Sequence, residues 1–320
     1  IGCLALGFSR QWFLFLLIYI IAKIGFSGSL IFYDSMLGDI TTEDRVDNVS
    51  SQGYAWGYIG SCVPFVLCLV IVLGSDPLGI RMETAMGIAF VLVAVWWLLM
   101  SLPLLKNYEQ KYYVEKKPHA IAQSFKRLGE TFKNMKEEKQ VFMFLLAFFF
   151  YIDGVYTIID MATAYGSALG LDSTGLLLAL LVTQIVAFPC AIIFGNLSYR
   201  IRTEKLIIVC IFAYLGIAIF AVFLKTQLQF WILAILVGMF QGGIQALSRS
   251  YFTKIIPEEH SGEYFGLMDI CGKGASFVGT TIVSIVSQLT GNISMGVGMI
   301  AILFCIGIVI FLKAVSMSRN

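Results

Sequence analysis

Nine long runs of almost uninterrupted apolar residues constrain this chain more than any other feature. They lie near 12–37, 53–74, 82–103, 141–165, 172–197, 205–224, 228–252, 262–289 and 292–314. A helix needs about 20 such residues to cross a bilayer, so each run is long enough to span one. Residues 1–9 look like the last part of a tenth. The runs are continuous and show no period-two alternation, which excludes a transmembrane β-barrel. The expected class is therefore an all-α membrane protein. With 58% of 320 residues hydrophobic and 13% charged, the chain carries more apolar side chain than a core in water could bury. A soluble enzyme, a nucleic-acid binder and a disordered chain are excluded.

Chemistry-bearing motifs are sparse. Cys3, Cys62, Cys68, Cys190, Cys210, Cys271 and Cys305 all sit in apolar runs and form no CxxC pair, which reads as core packing. The two histidines, His119 and His260, occupy separate polar segments and no HExxH occurs, so no metal site is expected. There is no Gly-rich phosphate loop and no serine elbow, and no cofactor is expected. The chain opens on Ile1 inside an apolar stretch, so it reads as one whose beginning is missing.

Orientation follows from Lys and Arg in the connections. Residues 104–140 hold nine of the 22 basic residues: Lys106, Lys111, Lys116, Lys117, Lys126, Arg127, Lys133, Lys136 and Lys139. Arg200, Arg202 and Lys205 lie in a connection on the same side, and the chain ends with Lys313 and Arg319. This long loop, the connections near 38–52 and 253–261, and the C-terminus are expected in the cytoplasm. Within the loop, Ile121, Phe125, Leu128, Phe132 and Met135 recur at helical spacing, the pattern of an amphipathic helix lying on the membrane face. It reads as a connector between two halves, with a lipid-binding or calmodulin-type role as the alternative.

Two stretches share one grammar. A helix with Gly25 and Gly28 runs through Phe32-Tyr33-Asp34 into the polar segment 39–45, and a span with Gly53, Gly57 and Gly60 follows. A helix with Gly242 and Gly243 runs through Leu247-Ser248-Arg249 into 254–260, and a span with Gly262, Gly266, Gly272 and Gly274 follows. A shift of 215 positions aligns Asp34 with Arg249 and Glu43 with Glu258. Both copies start on the same membrane side, so the repeat is parallel, as between the halves of twelve-helix facilitators. The expected organisation is a remnant of an N-terminal helical half in 1–103, a cytoplasmic linker in 104–140 and a six-helix C-terminal half in 141–320. Twelve helices are expected in the complete protein.

From residue 151 onward the motifs resemble a known family. The run Tyr151-Ile152-Asp153-Gly154-Val155-Tyr156-Thr157-Ile158 is similar to the seventh-helix motif of the vacuolar effluxer (autophagy-related amino-acid exporter) family of the major facilitator superfamily. So is the block Gly242 to Phe252, continuing through Ile256-Pro257 to Glu263-Tyr264-Phe265-Gly266 and Lys273. Gly53-Tyr54-Ala55-Trp56-Gly57-Tyr58 resembles its fifth helix, which makes residues 1–9 a stump of the third. The resemblance implies a secondary transporter of small solutes, amino acids foremost, working by alternating access. It also implies a bacterial plasma membrane in preference to a vacuolar one. The facilitator loop pattern Gly-x-x-x-Asp-Arg-x-Gly-Arg-Arg is altered at Gly195 to Glu204, with Tyr199 in the Asp place and Arg202 in the Gly place.

Ionisable and amide side chains inside spans cost free energy on insertion, so each is a functional candidate. These are Lys23, Asp34, Asp153, Tyr156, Asp160, Gln184, Gln241, Gln245, Arg249, Asp269 and Lys273. They are read as stripes lining a central cavity, with Asp153 the first choice for a group that alternates between charged and neutral and couples transport to protons. Asp269 and Lys273 read first as a local i,i+4 pair near the cytoplasmic end of their span, with a place on the cavity stripe as the alternative. Asp34 and Arg249 read either as a gate between halves or as interfacial snorkelling. The glycines at 53, 57, 60 and 262–279 read as close helix contacts. The partners expected are a small solute, the lipid bilayer and a proton; no nucleic acid is expected, and the protein is expected to be monomeric. Two alternatives have other chemistry: a non-transporting receptor or scaffold on the same fold, and an intramembrane enzyme. For the enzyme, Tyr33-Asp34 and Gly266-Leu267-Met268-Asp269 are only superficially similar to paired protease aspartates.

Overall fold

The computed structural model describes residues 1–77, 79–111, 120–135 and 138–317. Lys116, Lys117, His119, Lys136 and Arg319 lie outside the described residues, as do the side chains of Ile121, Phe125 and Met135. Among the described residues the regular structure is helical throughout: α1 (Gly2–Phe8), α2 (Trp12–Ser35), the single turn α3 (Leu37–Ile40), α4 (Val46–Leu73) and α5 (Met82–Asn107) come first. The surface helix α6 (Ala120–Met135) follows, then α7 (Lys139–Ala168), α8 (Ser173–Leu197), α9 (Thr203–Val222), α10 (Gln227–Ile255), α11 (Ser261–Thr290) and α12 (Ile293–Met317). Nine of the described helices are long and apolar enough to cross a membrane, and they coincide with the nine runs in the sequence.

The chain divides into two compact units. One comprises residues 1–36 and 59–111, the other residues 37–58 and 112–320. In the first, α1 packs on α5 and α2. Edge-on rings join these helices: Phe15 with Phe90 at 5.8 Å and Phe26 with Trp97 at 5.4 Å between centroids.

In the second unit, α7 packs on α12 and α11, α8 on α10, and α9 on α12 and α10. An aromatic core ties α7, α10, α11 and α12 together: Phe144 stacks on Phe252 at 5.5 Å, and Tyr151 meets Phe311 edge-on. Phe252 meets Phe265 edge-on at 5.3 Å. Helix α6 joins this unit through Thr131, whose buried hydroxyl donates to Glu263 at 2.5 Å. The expected surface helix is therefore present and tied to the start of α11.

One boundary differs substantially from the sequence reading. Helix α4 begins at residue 46 rather than near 53, so its first two turns consist of residues read as a polar connection. Asp47 Oδ2, Asn48 and Ser50 find hydrogen-bond partners on α8 to α10 in place of water. The glycine reading also changes. A Cβ at Gly57, Gly60, Gly262, Gly266 or Gly274 would meet open space, so these are not close helix contacts, whereas Gly279 is one.

Candidate functional site

Residues 37–58 precede the long polar segment in the chain, yet they pack on the helices that follow it. The contact is polar at one end. Asp47 Oδ2 accepts from Lys254 Nζ at 2.6 Å and from Thr203 Oγ1 at 2.7 Å, and Lys254 also reaches Thr203 at 3.0 Å. Asn48 donates to Asn196 at 3.1 Å and accepts from Gln52 at 2.7 Å. Ser50 Oγ donates to the carbonyl of Ala246 at 2.8 Å and accepts from Arg249 Nε at 3.0 Å. The Arg249 guanidinium lies 5.2 Å above the Tyr54 ring.

Deeper along α4 the contact sets alanines among aromatic side chains, with the Trp56 and Phe188 rings 5.5 Å apart. Ala55 and Tyr58 form a buried cluster with Ala187 and Ala191 of α8. At Gly195 an added Cβ would stand 2.7 Å from the Cβ of Ser51, so only glycine admits this approach. The altered facilitator loop is thus seated against α4 through Gly195, Asn196 and Thr203. Of these, Thr203 stands where the facilitator pattern has Arg, and its neutral hydroxyl donates to Asp47.

Arg249 is 4% exposed and bonded to Ser50, so the snorkelling reading does not hold. Asp47, Ser50, Thr203 and Lys254 were not singled out in the sequence. Their signal was the helical spacing of Asp47, Ser50 and Ser51 within a stretch too polar to pass as a span.

A second group of polar side chains lies inside the spans of the same unit. Tyr58 donates to Gln245 at 2.8 Å, beside the buried Gln241. Tyr151 and Ser248 share a hydrogen bond of 2.7 Å. Asp153, near the middle of α7, is fully buried. Its Oδ1 accepts from Thr157 Oγ1 at 3.1 Å and from the backbone N–H of Gly279 at 3.0 Å. Its Oδ2 is buried with no hydrogen-bond partner, as are Gln184 Oε1 and the Tyr214 hydroxyl. Tyr58 and Tyr151 entered the sequence reading only within the family-like motifs and Tyr214 not at all, because the partner of a tyrosine hydroxyl is not legible until it is located.

The remaining candidates fall in two places. On the α7–α11 seam, Asp160 accepts from Ser276 at 3.0 Å, Lys273 donates to Asp269, and Tyr156 lies against Gly272. Lys23 and Asp34 belong to the other unit. There Lys23 is exposed, with its ammonium 5.7 Å from the Phe26 ring centre, and Asp34 is half-buried. Among the described residues no three His, Cys, Asp or Glu side chains are grouped to hold a metal ion.

A family model described as "Vacuole effluxer Atg22 like" matches residues 1–320. The chain belongs to that family. It is 46% identical over 304 residues to the "Uncharacterized MFS-type transporter YxiO" of Bacillus subtilis, covering 94% of this chain and 71% of that protein. It is 23% identical over 282 residues to "Autophagy-related protein 22-1" of Aspergillus fumigatus, covering 80% of this chain and 46% of that one. The chain therefore spans less than half of this fungal relative. Among solved structures, the major facilitator transporter FucP in an outward conformation superposes with a TM-score of 0.65 at 14% identity, covering 98% of this chain and 82% of that one. A bacterial homologue of ferroportin in an outward-facing state gives 0.62 at 16% identity, with 98% and 76% covered. This Atg22-family chain is thus an integral, multi-pass membrane protein of the major facilitator transporter type.

Proposed function

We propose that this Atg22-family protein is a secondary transporter that moves a small solute, an amino acid, by alternating access with a proton as coupling ion. The observation that carries the reading is the seam between residues 46–58 and α8–α10. It joins helices from either side of the long loop through hydrogen bonds and one ion pair at its end, and deeper through a small cluster of Ala55, Tyr58, Ala187 and Ala191. Polar contacts of this kind can be exchanged between two packed arrangements, which a parting seam requires. Lys and Arg counts place the end bearing Asp47, Asn196 and Lys254 at the cytoplasm, so these contacts act as the inner gate. The long loop and C-terminus share that side, and residues 141–320 form the C-terminal half. The membrane is the bacterial plasma membrane, in keeping with the Bacillus relative.

Asp153 is the coupling acid in this scheme. It lies at mid-span, and its unpartnered Oδ2 is an open position for a proton. Gly279 and Thr157 hold the other oxygen, so the carboxyl group stays oriented whether or not it carries that proton.

Counterflow of labelled amino acids in liposomes containing the full-length protein tests the reading. Accumulation against an unlabelled internal pool is expected. Solute binding without counterflow would identify a receptor on the same fold and overturn the proposal.

A further inference from the structure

Helix α6 is held at the level where two spans begin. Its buried Thr131 donates to Glu263, the third residue of α11. Just beyond α6, Glu138 caps the start of α7 and accepts from Tyr264 of α11 at 3.3 Å. Both α7 and α11 are long and apolar enough to cross a membrane, so these ties fix α6 at the boundary between bilayer and water.

The protein covers only one flank of this helix. Arg127 and Leu128 are half-buried and Thr131 is buried, whereas Phe132 is 46% exposed and Lys126 and Lys133 stand out beside it. Lys126, Gly129 and Lys133 follow one another at spacings of three and four, which places them in one row along the helix. Gly129 also precedes Phe132 by three, and a Cβ there would meet open space, so the row lies open between the ring and the two lysines. Three basic residues, Lys126, Arg127 and Lys133, face one acidic residue, Glu130, within α6. Glu130 stands 3.8 Å from Lys126 with both side chains largely in water, a pair too weak to hold the lysine against another anion.

We infer that this outer row of α6 is a docking surface for anionic phospholipid. Phe132 enters the headgroup layer, and Lys126 and Lys133 take lipid phosphates on its flank. A ring at this depth leaves water by entering the interface, while lysine stems lie along apolar surface and keep their ammonium groups among the headgroups. The excess of positive charge makes the contact favour an anionic leaflet over a zwitterionic one, since the attraction acts within a Debye length of the surface. An acidic protein segment would suit the lysines, but lipid is the partner already present at the level of the ring. The assignment stands apart from the transport reading and needs only that the protein spans the membrane.

A fluorophore on Gly129→Cys tests it, in the full-length protein lacking its native cysteines and placed in nanodiscs. One set of discs is phosphatidylcholine alone; the other contains phosphatidylglycerol. Quenching is read from the lipid side by a nitroxide just below the headgroup, and from the water side by neutral acrylamide. With phosphatidylglycerol, lipid-side quenching is expected to rise about threefold or more over phosphatidylcholine, and water-side quenching to fall. Lys126→Gln/Lys133→Gln is expected to abolish the difference between the two lipids, and Phe132→Ser to lower lipid-side quenching in both. These three residues are exposed, so the variants are expected to melt as the parent does. Equal water-side quenching in both discs with no lipid-side signal overturns the proposal. So does shielding from both quenchers whatever the lipid, which would assign the row to a protein contact. Counterflow plays no part in the readout, so failure here leaves the transport reading untouched.

Discussion

Asp47 and Lys254 show at the residue scale what the seam depends on. Their side chains are 9% and 22% exposed, and Asp47 Oδ1 is buried without a partner. Removing one member of such a pair leaves the other charge poorly solvated, whereas removing both leaves none. Asp47→Asn or Lys254→Met is expected to cost about 3 kcal/mol, and the double variant to recover most of it. Thermal unfolding of the purified protein checks this; equal losses in the single and double variants would show that the pair is not coupled. Asp153 makes a separate prediction. Asp153→Asn keeps the shape and the contacts of Oδ1 but cannot carry the proton, so gradient-driven uptake is expected to be lost while solute binding persists. Unchanged flux between about pH 5.5 and 8 would remove it from the coupling step.

Helix α4 and the glycine contacts belong to the element scale. The apolar period marked α4 only from residue 53, because hydropathy registers lipid or core and Asp47, Asn48 and Ser50 are buried against polar partners instead. No count along one segment could reveal Asn196, Thr203 and Lys254 as those partners, since they lie 148 to 207 positions away. Glycine roles were hidden for the same reason. A Cβ at Gly279 would run into the Asp153 carboxylate and the Thr157 hydroxyl, while one at Gly274 would meet nothing. Gly279→Ala is therefore expected to destabilise by about 1 to 3 kcal/mol through overpacking of the α7–α11 contact. Gly274→Ala is expected to be neutral or slightly stabilising, because alanine is the better helix former. Melting temperatures of the two variants decide this, and equal values would mean that α7 and α11 do not approach at Gly279 as described.

The fold was largely legible in the sequence at the scale of the whole molecule, because bilayer thickness sets a length that nine runs satisfy and the chain's own motifs resemble the family that matches it. The candidate site was legible only in part. Charges in spans such as Asp153, Asp160 and Lys273 stand out against an apolar background, and the structure brings Asp160 and Asp153 onto α11 as one seam. The tyrosine hydroxyls and the polar first turns of α4 do not stand out, since neither residue type departs from its local composition.

The proposed alternating access requires the contact between α4 and the α8–α9 connection to break and re-form in every cycle. Cysteines placed at Asn48 and Asn196, whose side chains now share a 3.1 Å hydrogen bond, would be joined by a short reducible cross-linker in a full-length background lacking the native cysteines. The account predicts that counterflow stops when the bridge forms and returns when it is reduced. Undiminished counterflow with the bridge demonstrably intact would contradict it.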